Sequence, residues 1–174
     1  MRCLSSRSHC YNNIKQKYYA PVINLGYDNN MNITIAGDHY TTELIAKLKL
    51  LLEQKGFTIE DKGSKSKEDI KTLQEIIPAV TKSVNGGEAE FGILVCGTGV
   101  GVEIGANRLK GIRASLCRDA EQAKNARVYD NANVLCLGSW YNDSFEEILD
   151  SWTLNKFDGD EKRTQMLKDF DELV

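Results

Sequence analysis

The chain has 174 residues, 41% of them apolar and 27% charged, with a formal net charge of −3. That length fits one domain of ordinary size. No apolar run reaches the ~20 residues a membrane-spanning helix requires, and the mild acidity gives no electrostatic reason to expect nucleic acid or an anionic membrane as partner; a small-molecule ligand is expected instead.

The first 30 residues carry Arg2, Arg7, Lys15 and Lys17 but no acid before Asp28, and they show no periodicity. An upstream start codon or a disordered tail is the preferred reading, with a basic, acid-poor organellar presequence as the other. Residues 31–174 are expected to form the folded domain. They hold 18 basic and 24 acidic residues, net −6. The five cysteines, Cys3, Cys10, Cys96, Cys117 and Cys136, form neither an even framework nor a C-x-x-C pair, which indicates a reducing, cytoplasmic compartment.

From Met31 onward short apolar runs alternate with longer stretches of helical period. NITIAG (32–37) reads as a strand, and Leu44, Ile45, Leu48, Leu51 and Leu52 form a helical stripe that stops at Gly56. FTIED (57–61) reads as the second strand. Ile70, Leu73, Ile76, Ile77, Val80 and Val84 mark a second helix, expected to kink or restart at Pro78, where a backbone donor is missing. FGILVC (91–96) is continuously apolar, as a strand buried on both faces would be, and a helix is expected after the glycines that follow. IRASLC (112–117), a helix over 119–129, NVLCLG (133–138), and helices near 143–155 and 160–173 complete the series.

This alternation predicts an α/β fold, a Rossmann-like three-layer α/β/α sandwich around a five-stranded parallel sheet in the order 2-1-3-4-5. In such sheets ligands bind beyond the carboxyl ends of the strands, where the winding direction reverses. Asp38 and His39 follow the first strand and Cys96-Gly97-Thr98-Gly99-Val100-Gly101 follows the third, so an acid, an imidazole, a thiol and a glycine loop are expected in one crevice.

The glycine loop lets backbone N–H groups approach an anion. It lacks the last glycine of G-x-G-x-x-G, which argues against a dinucleotide. Cys96, beside the loop, is expected to favour its thiolate form and so to abstract a proton; a buried, inert cysteine is the alternative. For Asp38 and His39 the bland alternative is a helix cap and an exposed loop residue. Cys117 and Cys136 read as core residues, and Arg113, Arg118, Lys124 and Arg127 as a solvated charged face.

These motifs resemble the type B ribose-5-phosphate isomerase family, which includes the galactose-6-phosphate isomerase subunits. The resemblance rests on Gly37-Asp38-His39, on G-G-E-A-E-F-G-I-L-V-C-G-T-G-V-G (86–101), on G-I-R-A (111–114) and on N-A-N-V-L-C-L-G-S (131–139). It implies interconversion of ribose 5-phosphate and ribulose 5-phosphate through a cis-enediol, without metal or other cofactor. It also implies a homodimer or tetramer with active sites at the subunit interface.

On this resemblance Cys96 is the base. Thr98 and the amides of Gly97, Gly99, Val100 and Gly101 stabilise the enediolate oxygens, and Asp38 and His39 bind the substrate. The family's ring-opening histidine falls at Tyr129, with Asp130 beside it in place of asparagine; Trp140, Glu161 and Gln165 stand where arginines that hold the phosphate are expected. Lys162 and Arg163 offer a shifted clamp. These departures keep open an isomerase of another sugar phosphate such as galactose 6-phosphate, and a catalytically impaired partner subunit or binding module.

Overall fold

The computed structural model describes residues 31–141 and 144–174, so the expectations for residues 1–30 lie outside the described residues. Five strands, β1 (Asn32–Gly37), β2 (Thr58–Asp61), β3 (Phe91–Cys96), β4 (Ala114–Leu116) and β5 (Val134–Gly138), form one sheet in which every pairing is parallel. Six helices are described: α1 (Thr42–Gln54), α2 (Leu73–Asn85), α3 (Val100–Ala106), α4 (Ala120–Asp130), α5 (Phe145–Leu154) and α6 (Glu161–Asp171).

Side chains alternate across the sheet with the two-residue period of a strand and so build two cores. Ile33, Ile35, Phe91, Ile93, Val95, Leu135 and Leu137 pack with residues of α1, α4 and α5 on one face. Ala36, Leu94, Cys96, Val134 and Cys136 pack with residues of α2 and α3 on the other. The three-layer α/β/α sandwich expected from the alternation of elements is therefore present.

The strand order is β2-β1-β3-β5-β4, which corrects the expected order by exchanging the last two strands. The physical reason lies in composition. All five residues of β5 are buried, and its run VLCLG tolerates cover on both faces and neighbours on both edges. β4 has three half-buried residues, preceded by Arg113 and carrying Ser115, and so short and incompletely covered a strand belongs at an edge.

A second correction concerns the restart expected at Pro78: α2 is one continuous element with Pro78 inside it. The carbonyl deprived of a donor by the ring belongs to Gln74, and both Gln74 and Pro78 are exposed, so water can satisfy it. The helix starts at Leu73 rather than Ile70 because Glu75 reaches back to accept from the Thr72 N–H at 2.7 Å and from its hydroxyl at 2.8 Å.

Arg127 corrects a third expectation. It is not part of a solvated face: its guanidinium lies 5.3 Å from the ring of Trp152 and 5.8 Å from that of Phe91, and Nη1 donates to the Ala132 carbonyl at 2.5 Å. Arg113 is likewise half-buried, and its Nε donates to the Asn131 carbonyl at 2.8 Å. The two arginines close the turn that joins α4 to β5.

Candidate active site

Gly37, the last residue of β1, pairs with Val95, and Cys96, the last of β3, pairs with Gly138 of β5. Asp38-His39, Cys96 and Ser139-Trp140 therefore leave three adjacent strands at the same carboxyl edge. The chain passes from β1 outward to β2 and then returns across β1 to β3, so the reversal point anticipated between β1 and β3 is at this edge.

Cys96 is buried, with 6% of its surface exposed, and its Sγ accepts the Gly99 N–H at 3.2 Å. The loop that makes this bond depends on Gly99, whose φ of 79° lies in the left-handed region. A side chain there would also stand 2.4 Å from Leu116 Cδ1 and 2.9 Å from the Gly138 amide nitrogen. Val100 then opens α3, and its N–H donates to Thr98 Oγ1 at 3.3 Å. Two of the amides assigned to the substrate are thus engaged inside the loop, on Sγ and on the Thr98 hydroxyl.

The other two described cysteines belong to the cores. Burial pushes the Cys117 thiol up to about 11, and burial also raises Cys136 well above its ordinary value. Both are fully buried, and the expectation that they serve as small core residues holds.

Asp38 does not cap α1; Thr41 is the cap residue. The Asp38 carbonyl accepts the Thr41 N–H at 3.0 Å and the Thr41 hydroxyl at 2.9 Å, while the carboxylate Oδ1 accepts only its own turn's Tyr40 N–H at 3.1 Å among the hydrogen bonds of the described residues. His39 is half-buried with its ring centroid 3.9 Å from that of Tyr40. Its Nδ1 is closed to solvent and has no hydrogen-bond partner among the described residues. A buried polar atom left unpaired is costly and is found where a ligand or a rearrangement completes it.

Beyond β5 the strand pairing continues into the loop. Ser139 N–H donates to the Cys96 carbonyl and Trp140 N–H to the Gly97 carbonyl, both at 3.0 Å. The Trp140 ring lies on Gly97 so closely that a Cβ there would meet indole atoms at 2.5 to 3.0 Å.

Tyr129 and Asp130 are not brought to this edge. They end α4, which descends from the carboxyl end of β4 to the amino end of β5. Asp130 instead lines a groove of about 340 Å³ with Arg113, Leu167, Phe170 and Asp171. The Arg163 guanidinium sits 4.6 Å from the Tyr129 ring centroid and pairs with Asp158. Glu161, Lys162 and Gln165 lie on the same helix, α6, and are exposed.

Sequence reasoning named Cys96, its loop and Asp38-His39 through their place after strands, but it gave Trp140 no role of its own. The available signal was an aromatic pair, Trp140-Tyr141, directly after a buried strand.

Comparison with known proteins identifies the chain's relatives. A family model described as Ribose/Galactose Isomerase matches residues 33–168. The chain is 35% identical to galactose-6-phosphate isomerase subunit LacB of Clostridium acetobutylicum over 147 residues, 83% of this chain and 84% of that one. It is 36% identical to a probable ribose-5-phosphate isomerase B of Mycoplasma pneumoniae, over 75% of this chain and 87% of that one. The crystal structure of a ribose 5-phosphate isomerase from Thermotoga maritima superposes with a TM-score of 0.76 at 38% identity, covering 82% of this chain and 98% of that one. With a match over most of its length and a shared fold, the chain belongs to the ribose/galactose isomerase family of enzymes.

Proposed function

We propose that the protein interconverts ribose 5-phosphate and ribulose 5-phosphate through a cis-enediol, with Cys96 as the base. The observation that carries this reading is the thiol at the end of β3, tied by its Sγ to the Gly99 amide and flanked on the neighbouring strand by Asp38 and His39.

In the open-chain aldose the C2 proton passes to the Cys96 sulfur as the C1 carbonyl becomes an enediolate. The same sulfur then returns the proton to C1, while the O2 proton is transferred to O1, so that the ketone forms at C2 and the C1 oxygen ends as a hydroxyl. Charge that develops on the two oxygens is met by the Thr98 hydroxyl and by the amides of Gly97 and Gly101, since those of Gly99 and Val100 are engaged within the loop. Asp38 and His39 bind the sugar hydroxyls, and the unpaired His39 Nδ1 gains a partner when the ring turns toward the substrate. Such a proton transfer requires only positioned acid and base groups.

Ring opening falls to Tyr129 of a second copy, with Asp130 beside it binding the substrate, since within one chain they stand at the other end of the sheet. The active assembly is therefore a homodimer, or a tetramer of such pairs, and the compartment is the cytoplasm.

The test is incubation of the purified chain with ribose 5-phosphate and galactose 6-phosphate in deuterated water. Turnover of ribose 5-phosphate with solvent deuterium entering C1 of the ketose is the expected result. Turnover of galactose 6-phosphate alone would reassign the substrate, a reading that Trp140 at an expected cation position favours. Activity that appears only when a second related subunit is added would make the chain a partner subunit. No deuterium in any recovered sugar would remove the isomerase assignment.

A further inference from the structure

We propose that Trp140 is the specificity-determining platform of this site, its indole stacking on the C–H face of the sugar carbons beyond the reacting pair. The inference rests on the isomerase reading of Cys96 and arises from the strand order. Because β5 rather than β4 lies beside β3, the residues after β5 emerge next to the thiol and its loop.

Three observations fix the indole as a surface ready for a ligand. Its backbone is tied to the loop by the Trp140 N–H to Gly97 carbonyl bond, 3.0 Å long. One side of the ring is pressed on the Gly97 backbone, where only a glycine leaves room. The remainder is open: Trp140 is 68% exposed, and Tyr141, 64% exposed, meets it edge-on at 6.2 Å between centroids. A large, rigid apolar surface held one residue from a base loses little conformational freedom on binding.

The occupant follows from the chemistry. A sugar presents hydroxyls to Asp38, His39 and the loop, and its C–H groups are then left to face an apolar neighbour. An indole gives no bidentate contact to a phosphate, as a guanidinium would. It therefore adds affinity through the carbon skeleton and favours the longer or ring-closed sugar over a short one.

The chain has two tryptophans, and Trp152 is fully buried, so acrylamide-quenchable emission reports Trp140. Saturating ribose 5-phosphate or galactose 6-phosphate is added to the full-length Cys96→Ser variant, which binds without turnover, and quenching is expected to fall. In the otherwise native enzyme Trp140→Ala is expected to raise KM by about three- to tenfold, the range of an aromatic contact, with kcat within about twofold. Trp140→Phe should recover most of that loss.

Turnover with KM unchanged in Trp140→Ala, or with quenching unprotected in Cys96→Ser, overturns the platform while leaving the isomerase intact. Protection without turnover by the native protein leaves the platform and removes the isomerase. Neither protection nor turnover removes both.

Discussion

Cys96 and Tyr129 stand at opposite ends of one sheet. Cys96 closes β3 at the carboxyl edge, whereas Tyr129 is the penultimate residue of α4, which ends a few residues before β5 begins at the amino edge. A single chain cannot bring the two to one sugar, so a site that uses both draws them from different copies.

Mixing two inactive variants tests this arrangement. Cys96→Ala and Tyr129→Phe are each expected to lower kcat by about 100-fold or more, the usual scale for loss of a proton-transfer group. After the two are unfolded and refolded together, half the dimers are mixed. Each mixed dimer has one intact site, so about one quarter of native activity should return. Activity no higher than that of the separate variants would show that the two residues do not share a site.

Gly99→Ala is expected to be damaging in two ways. A residue with a side chain held at a φ of 79° carries strain of roughly 1–3 kcal/mol, and its Cβ would press on Leu116 Cδ1 and on the Gly138 backbone nitrogen. Leu116 can yield but the backbone cannot, so the loop must shift and the Gly99 N–H loses its line to Cys96 Sγ. Thermal unfolding should show a Tm lower by several degrees, and kcat should fall more than the stability loss alone explains. A variant with native Tm and native kcat would mean the loop holds no fixed geometry at that residue.

Arg127→Met retains much of the volume against Phe91 and Trp152 but removes the donor to the Ala132 carbonyl and the charge over both rings. A buried acceptor left without its donor, together with two lost cation–π contacts, is worth about 2–3 kcal/mol. Urea unfolding should show that decrease at neutral pH, with the slope against urea unchanged. Arg113→Met at the same turn should behave in the same direction and more weakly, since among the described residues Arg113 is seen with backbone and carboxylate partners and not over an aromatic ring.

The sequence shows clearly whatever depends on position along the chain, and poorly whatever depends on neighbours across it. That Cys96, Asp38 and His39 share one edge is legible because a residue at the end of a parallel strand emerges at the carboxyl edge whatever the order of the strands. The exchange of β4 and β5 was not found, because IRASLC and NVLCLG are both short apolar runs; the distinguishing marks were Arg113 and Ser115 in the first. Arg127 looked solvated because helix periodicity does not reveal that Phe91 and Trp152 meet beneath it, 6.1 Å apart. Trp140 acquired meaning only once β5 was known to lie beside β3.

The last prediction concerns acid. Asp61 ends β2, and its carboxylate accepts Lys49 Nζ on Oδ2 and the Gly63 N–H and Lys65 Nζ on Oδ1, all at 3.0 Å. Burial pushes its pKa up, but the hydrogen bonds from Lys65, Lys49 and Gly63 together outweigh burial, and the net position is below the ordinary carboxylate value. A group whose pKa is lower folded than unfolded adds stability above the unfolded value of about 3.9, and that addition disappears as pH falls through the folded value. Asp61→Asn should therefore be less stable than the native chain at pH 7, and the gap should close as the pH drops below about 4. The turn that Asp61 organises delivers the Ser64 N–H to the Gly37 carbonyl at 3.1 Å, directly before Asp38, so the same variant should bind sugar phosphate more weakly at neutral pH. Denaturant midpoints measured across the acid range decide the matter: a gap between the two proteins that stays constant from pH 7 to pH 3 would show that the Asp61 charge makes no net contribution.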